Sequence, residues 1–342
     1  MDVKSTLKTL CEAAGVSGDE FSASEAARTL LAPYCPDAGI DAFGNVVGFL
    51  GDRKNGKQTL MLEAHIDQIG LIVTHIDENG FIKTARCGGV DRRLLLAQTV
   101  TIHGKKAIKG VVSTLPPHLA KDDKKAPEIE DIAIDAGFAK AELEKIVSPG
   151  DKITIDGTFE SLTENVVTAP AIDDRGGVTA VLYALDLLRG RETAYNLAVV
   201  FAVQEEVGNR GAIISAYNVN ADLSISVDVS FAQTPGVPEE KSKKMGGGAM
   251  IGIAASLDRR LFMRLRSLAA EKGIPYQIEA MGSDSGTDAD EIGVSRGGVR
   301  PALISVPLKY MHMPVETADI NDIKAVGALI AEFMEKGAED GK

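Results

Sequence analysis

The sequence predicts an α/β fold interrupted by a small β-rich insertion, and three observations carry that prediction. Val178, Val181, Leu182, Leu185 and Leu188 recur at helical spacing behind the pair Asp173-Asp174. Residues 197–203 form a continuous apolar run, and residues 223–227 read as a second buried strand, as in a sheet covered on both faces. Between about Gln68 and Glu164, short β-prone runs alternate with turn signals. At 342 residues the chain is long for one compact core, so two domains, or one domain carrying an insertion, are expected.

In chain order, residues 3–14 read as a first helix. Ser17 followed three residues later by Glu20 matches a capping box that would open a second helix running toward Pro33. Residues 45–50 and 60–64 read as strands joined by the hairpin-type turn Lys54-Asn55-Gly56-Lys57, and the second strand ends at His65. Residues 69–75, 81–85, 99–103, 107–113 and 152–155 are the β-prone runs of the insertion, punctuated by Glu78-Asn79-Gly80 and His103-Gly104-Lys105. The Lys-rich stretch from Pro116 to Pro127 reads as a flexible loop. From about Val166 the α/β rhythm returns. Leu261, Leu265 and Leu268 mark one helix, and Val326, Leu329, Ile330 and Phe333 mark the last, with start signals at Thr317 and Asp319.

A net charge of −12 argues against nucleic acid or an anionic membrane as the main partner, because both require a basic face. Cys11, Cys35 and Cys87 are sparse and show no CxxC spacing, which fits a reducing compartment without a disulfide framework. The first residues show no signal peptide, and no apolar run approaches the ~18 residues of a membrane span. A cytoplasmic protein is expected.

The candidate chemistry sits at the ends of the apolar runs. His65 and Asp67 lie two residues apart at a strand end, so both point to one side. One can ligate a metal while the other orients a neighbour. Asp173-Asp174 precede a long apolar helix, where they can cap it or let one carboxylate bridge two cations. Glu205-Glu206 follow the run 197–203, at the strand end where ligands of α/β sheets gather. One glutamate can bind metal and the other remain free as a general base, or both can belong to a solvated loop. Asp228 ends the run 223–227, where a cation or a hydrogen-bond network would offset its burial. His312 follows residues 302–306. His75, His103 and His118 sit in the insertion away from strand-end carboxylates and read as structural or exposed. His65, Asp173, Glu206, Asp228 and His312 together make a nitrogen and oxygen donor set that suits zinc, cobalt or manganese. Asp284 occupies the centre of Gly282-Ser283-Asp284-Ser285-Gly286, so that frame holds no serine nucleophile, and Gly246-Gly247-Gly248 lacks dinucleotide-binding spacing.

Six ordered blocks carry a resemblance over nearly the whole chain: Ala64-His65-Ile66-Asp67, Ile172-Asp173-Asp174-Arg175, Gln204-Glu205-Glu206-Val207-Gly208, Val227-Asp228, Gly286-Thr287-Asp288-Ala289 and Tyr310-Met311-His312-Met313-Pro314-Val315-Glu316. The chain resembles the TET or deblocking (glutamyl) aminopeptidases, which are co-catalytic two-metal peptidases. The resemblance implies a mixed-sheet, phosphorylase/hydrolase-like metallopeptidase domain of residues 1–67 and 165–342. It implies an inserted β-rich domain, PDZ-like or barrel, of residues 68–164 that mediates dimerisation, with dimers assembling into a dodecamer. It places one metal on His65, Asp173 and Asp228 and the second on Asp173, Glu206 and His312. Glu205 matches the general base acting on a metal-bridging water, and Asp67 matches the aspartate that orients His65. Gln68, Lys309 and Met313 depart from the family pattern of Glu, Arg and a small hydroxyl residue, which leaves the substrate preference open.

The expected activity is hydrolysis of N-terminal residues from peptides. The alternatives are a related metallohydrolase acting on another amide, a glycan-labelled relative, and a non-catalytic assembly module.

Overall fold

A computed structural model of the chain describes residues 1–51, 56–113, 115, 119 and 126–338. Thr59–His65, Asn196–Ala202, Leu223–Phe231 and Arg300–Lys309 run parallel at the centre of a large mixed sheet. Asn196–Ala202 lies between Val46–Leu50 and Thr59–His65, so two strands close in sequence never pair with each other. Antiparallel strands extend the sheet on both flanks. Gly39–Ile40 and Val46–Leu50 form one flank, and Glu316–Asp319, Val166–Ala169 and Glu160–Ser161 form the other. Ala249–Ile253 and Tyr276–Ala280 branch from Arg300–Lys309.

The central strands are apolar on both sides because helices cover both faces. Ile172–Leu187, Ile320–Lys336 and Val3–Cys11 pack on one face around Val181, Leu185, Val227, Ile304, Val326 and Phe333. Arg210–Val219 covers the other, against Met61, Ala198 and Val200. Asp319 caps the last helix by accepting from the Asn321 N–H, and Asp258 caps Arg259–Lys272 by accepting from Arg260 and Leu261.

Between these parts, Gly70–Ile76, Ile82–Cys87, Thr99–His103, Ala107–Val112, Ile134–Asp135 and Lys152–Ile155 close into an antiparallel barrel. Its interior holds Leu71, Val73, Val100, Ile102, Val112, Ile134 and Ile153, supplied by alternating strand positions. The fold is therefore the expected mixed α/β sheet with a β-rich insertion, and the insertion is a closed barrel.

Several local expectations differ from what forms. The capping box does not: Phe21–Leu31 begins after Glu20 without a side-chain cap, because Ser17 donates to Asp67 instead. The first helix stops at Cys11, and the strand through Asp228 runs on to Phe231 rather than ending at that carboxylate. Thr317 lies in strand Glu316–Asp319, leaving Asp319 as the start signal that operates. Lys54 and Asn55 of the hairpin-type turn, and most of the Pro116–Pro127 stretch including His118, lie outside the described residues.

Candidate metal and active site

The parallel strands deliver their polar ends to one edge of the sheet. His65 is the last residue of its strand, and Ile66-Asp67 follow. Asn196–Ala202 leads into Gln204, whose φ of +61° turns the chain so that Glu205 and Glu206 face back over the sheet edge. A left-handed backbone at a non-glycine residue costs about 1–3 kcal/mol and persists where its surroundings fix it. His312, at φ +63°, lies in the turn after Arg300–Lys309, and Asp173 opens helix Ile172–Leu187.

Asp173 stands between the two imidazoles. Its Oδ1 lies 3.0 Å from His65 Nε2, and its Oδ2 lies 3.2 Å from His312 Nε2. His312 Nε2 is 3.3 Å from Glu206 Oε1. His65 Nε2 is 3.9 Å from both Asp228 Oδ1 and Glu205 Oε2. Donor atoms of His65, Asp173 and Asp228 lie within 4.8 Å of one another, as do those of Asp173, Glu206 and His312 and those of His65, Glu205 and Glu206. All five sequence-nominated donors therefore come together. Asp174 turns aside, accepts from the Gly177 N–H at 3.0 Å and so serves the helix start.

A second layer holds these groups. Asp67 is fully buried, 3.5 Å from His65 Nδ1, and accepts from the Glu205 N–H (3.0 Å), the Glu206 N–H (3.3 Å) and Ser17 Oγ (2.6 Å). One carboxylate thus sets both a histidine ring and the turn that carries the glutamates. Glu316 plays the same part on the other side, accepting from the Asp173 N–H at 3.0 Å and the His312 N–H at 2.9 Å. Arg175, also fully buried, donates to the carbonyls of Leu10 and Ala13 and to Gln68 Oε1 at 2.9 Å, which ties the first helix to the site. Gly88-Gly89, leaving the barrel strand Ile82–Cys87, press on the site from above. A Cβ on Gly89 would lie 2.6 Å from His312 Nδ1.

Burial penalises every negative charge here. It pushes Glu205 up to about 8 despite the nearby His65, and it holds Asp228 well above the usual carboxylate range. Burial opposes the imidazolium form too, yet hydrogen bonds to Asp173 and Glu206 raise His312 to about 11, and bonds to Asp173 and Asp67 hold His65 well above its ordinary value. Burial also acts to raise Asp173, but the two imidazoles outweigh it and draw the carboxyl below its usual range. Behind them, burial and the neighbouring Glu63 keep Asp288 well above the carboxylate range.

Divalent cations suit this arrangement. The carboxylates outnumber the imidazoles, and burial makes their charge costly. Nitrogen and oxygen donors without thiolate fit zinc, cobalt or manganese. A narrow cleft opens beside the site, lined by Gln68, Ile69 and Ile155 on the barrel side and by Asp173, Glu206, His312 and Met313 across from them.

Sequence reasoning gave no role to Glu316 or Gly89 and read Ser17 as a helix cap rather than a partner of Asp67. Glu316 stands four residues after His312, the one local signal that points to it. The contacts of the other two arise only from tertiary folding. His75 is exposed, and His103 meets Thr154 Oγ1 at 2.9 Å on the barrel, so neither joins the site. Gly246 and Gly248 donate their N–H groups to Asp322 at 2.6 and 2.7 Å, a structural clamp on the last helix.

The profile of the M42 glutamyl aminopeptidases matches residues 44–329. A lysyl aminopeptidase of Pyrococcus furiosus is 32% identical over 340 residues, covering 96% of each chain. Among solved structures, an aminopeptidase from the archaeon Desulfurococcus kamchatkensis superposes with a TM-score of 0.92 at 34% identity, covering 98% of this chain and 95% of its own. The TET1 peptidase of Pyrococcus horikoshii, which can assemble into a tetrahedron or a large octahedral shell, superposes with a TM-score of 0.85 at 30% identity, covering 98% of this chain and 100% of its own. Agreement of this extent along nearly the whole length makes the chain a peptidase hydrolase that belongs to the M42 glutamyl aminopeptidase family.

Proposed function

We propose that the chain is a two-metal aminopeptidase that removes N-terminal residues from peptides. The observation that carries the reading is Asp173, whose two oxygens face His65 at 3.0 Å and His312 at 3.2 Å. In this reading His65, Asp173 and Asp228 hold one divalent cation, and Asp173, Glu206 and His312 hold the other. Zinc is the first expectation, with cobalt and manganese as alternatives. Such a pair supplies Lewis-acid polarisation of the scissile carbonyl and lowers the pKa of a water.

The chain's own groups do the rest. Glu205 takes the proton of the attacking water on its carboxylate and returns it to the leaving amine. Asp67 keeps Glu205 and Glu206 in place through their backbone N–H groups and orients His65. Glu316 fixes the backbone at Asp173 and His312. Replacing Glu205 with Gln is expected to lower kcat about 10²- to 10⁴-fold while metal content, read by elemental analysis, stays as in the wild type. Normal turnover in Glu205→Gln would remove the base assignment.

The reading assigns residues 1–67 and 165–342 to catalysis and residues 68–164 to dimerisation, with dimers joining into a dodecamer. Exposed Val111, Leu115 and Leu119 on and beside the barrel support the dimerisation part, and the shell-forming TET1 peptidase supports the larger assembly. Three free, buried cysteines are consistent with a reducing, cytoplasmic setting. Among the described residues no helix is long and apolar enough to cross a membrane.

A further inference from the structure

Glu279, on strand Tyr276–Ala280, has no part in the chemistry above. Its carboxylate accepts hydrogen bonds from Ser230 Oγ and, at 3.2 Å, from Ser305 Oγ. Both serines belong to the site's own strands. Ser230 stands two residues beyond Asp228, and Ser305 is the register partner of Asp228 on the adjacent parallel strand. Side chains two apart on a strand share a face, so the two serines hold the Glu279 carboxylate on the Asp228 face, between the level of Asp228 and that of Ser230 about 7 Å further along the sheet. Gly252 is the register partner of Glu279, so the strand next to it presents no side chain at that level.

Serine hydroxyls satisfy a carboxylate's lone pairs without cancelling its charge. Burial pushes the Glu279 carboxyl up, and the two hydroxyls and the Lys243 ammonium act against that. Among the described residues no ion pair reaches Glu279, Lys243 included. A partly exposed carboxylate held this way beside a peptide-hydrolysing site is suited to a cationic guest.

We propose that Glu279 selects substrates whose N-terminal side chain is basic, with the lysine ammonium or arginine guanidinium meeting its carboxylate while the α-amino group and scissile carbonyl sit among His65, Asp173 and Asp228. The inference rests on the aminopeptidase reading and adds the substrate class. Reach is compatible with it: the α- and ε-nitrogens of an extended lysine lie about 7 Å apart with staggered torsions, and the serines hold Glu279 no further than about one two-residue step along the sheet from Asp228. A leucine side chain is too short to reach Glu279, and a glutamate side chain brings a like charge.

The test is a comparison of kcat/KM for lysyl, arginyl, leucyl and glutamyl p-nitroanilides on the metal-loaded protein. The wild type is expected to favour lysyl and arginyl substrates over leucyl roughly tenfold or more, with glutamyl poorest. Glu279→Gln is expected to lower the lysyl-to-leucyl ratio ~10- to 100-fold, mainly through KM, and Ser230→Ala to lower it less. A wild-type preference for leucyl or glutamyl substrates overturns the proposal while leaving the aminopeptidase reading intact. So does an unaltered ratio in a folded Glu279→Gln variant. If that variant does not fold, the wild-type ranking and Ser230→Ala decide. Failure to cleave all four substrates removes the aminopeptidase reading and this inference with it.

Discussion

Two imidazoles that prefer to be protonated and several carboxylates that prefer to be neutral make a proton store where cations are expected to bind. His312 is raised to about 11 and His65 is held well above its ordinary value, so in the metal-free protein both rings favour the imidazolium form. A cation must displace those protons, together with any held on Glu205 or Asp228. Acidification strengthens the competitor, so apparent metal affinity rises with pH across pH 6–8 and binding releases protons. Titration calorimetry of zinc binding in two buffers of different ionisation enthalpy should show net proton release per cation, and pH-independent binding without release would contradict the ligand set. The five donors were legible because residue type and position coincide: His65, Glu206 and His312 follow apolar strands, Asp228 lies within one, and Asp173 heads an apolar helix. The groups that hold them were not. Ser17 looked like a helix cap because local spacing cannot reveal that the buried Asp67, 50 residues on, outcompetes the helix end for its hydroxyl.

At the scale of elements, the loop leaving the barrel and the turn that carries His312 meet with no room to spare. Gly89 does not have a left-handed φ, so Gly89→Ala leaves the backbone unstrained and tests sterics alone. Its methyl group must displace His312 or lift the loop. The variant is expected to keep its far-ultraviolet circular dichroism, lose metal from the group of Asp173, Glu206 and His312, and fall at least tenfold in activity by the logic of displaced site geometry. Full metal content with full activity would show that the loop yields freely. The central strands and long helices were readable because burial on both faces leaves runs of one character, as in residues 197–203. Short pieces such as Ile134–Asp135 and Glu316–Asp319 were not, because pairing with distant strands, rather than their own composition, makes them strands.

For the whole molecule, the change of texture after His65 revealed that an insertion exists, whereas closure into a barrel depends on the pairing of Thr99–His103 with Lys152–Ile155, which no local pattern announces. Val111 is 49% exposed on a barrel strand, so a charge placed there tests whether that face meets another chain. Light scattering of the wild type is expected to give about twelve times the 36.1 kDa chain mass, and Val111→Lys is expected to shift the population to smaller species. A wild-type monomer would end the assembly reading. The placement of Asn196–Ala202 between Val46–Leu50 and Thr59–His65 also bears on how the chain is made. As the polypeptide leaves the ribosome, those two early strands have no partner for each other, and the strand that joins them arrives more than a hundred residues later. The barrel needs nothing from beyond Ile155, and its core draws only on residues 69–155. It can condense first and shorten the effective loop that the late strand must close. Pulse-labelled hydrogen exchange would then find barrel amides protected before those of Thr59–His65, which makes the insertion a nucleus for folding as well as a wall of the active site.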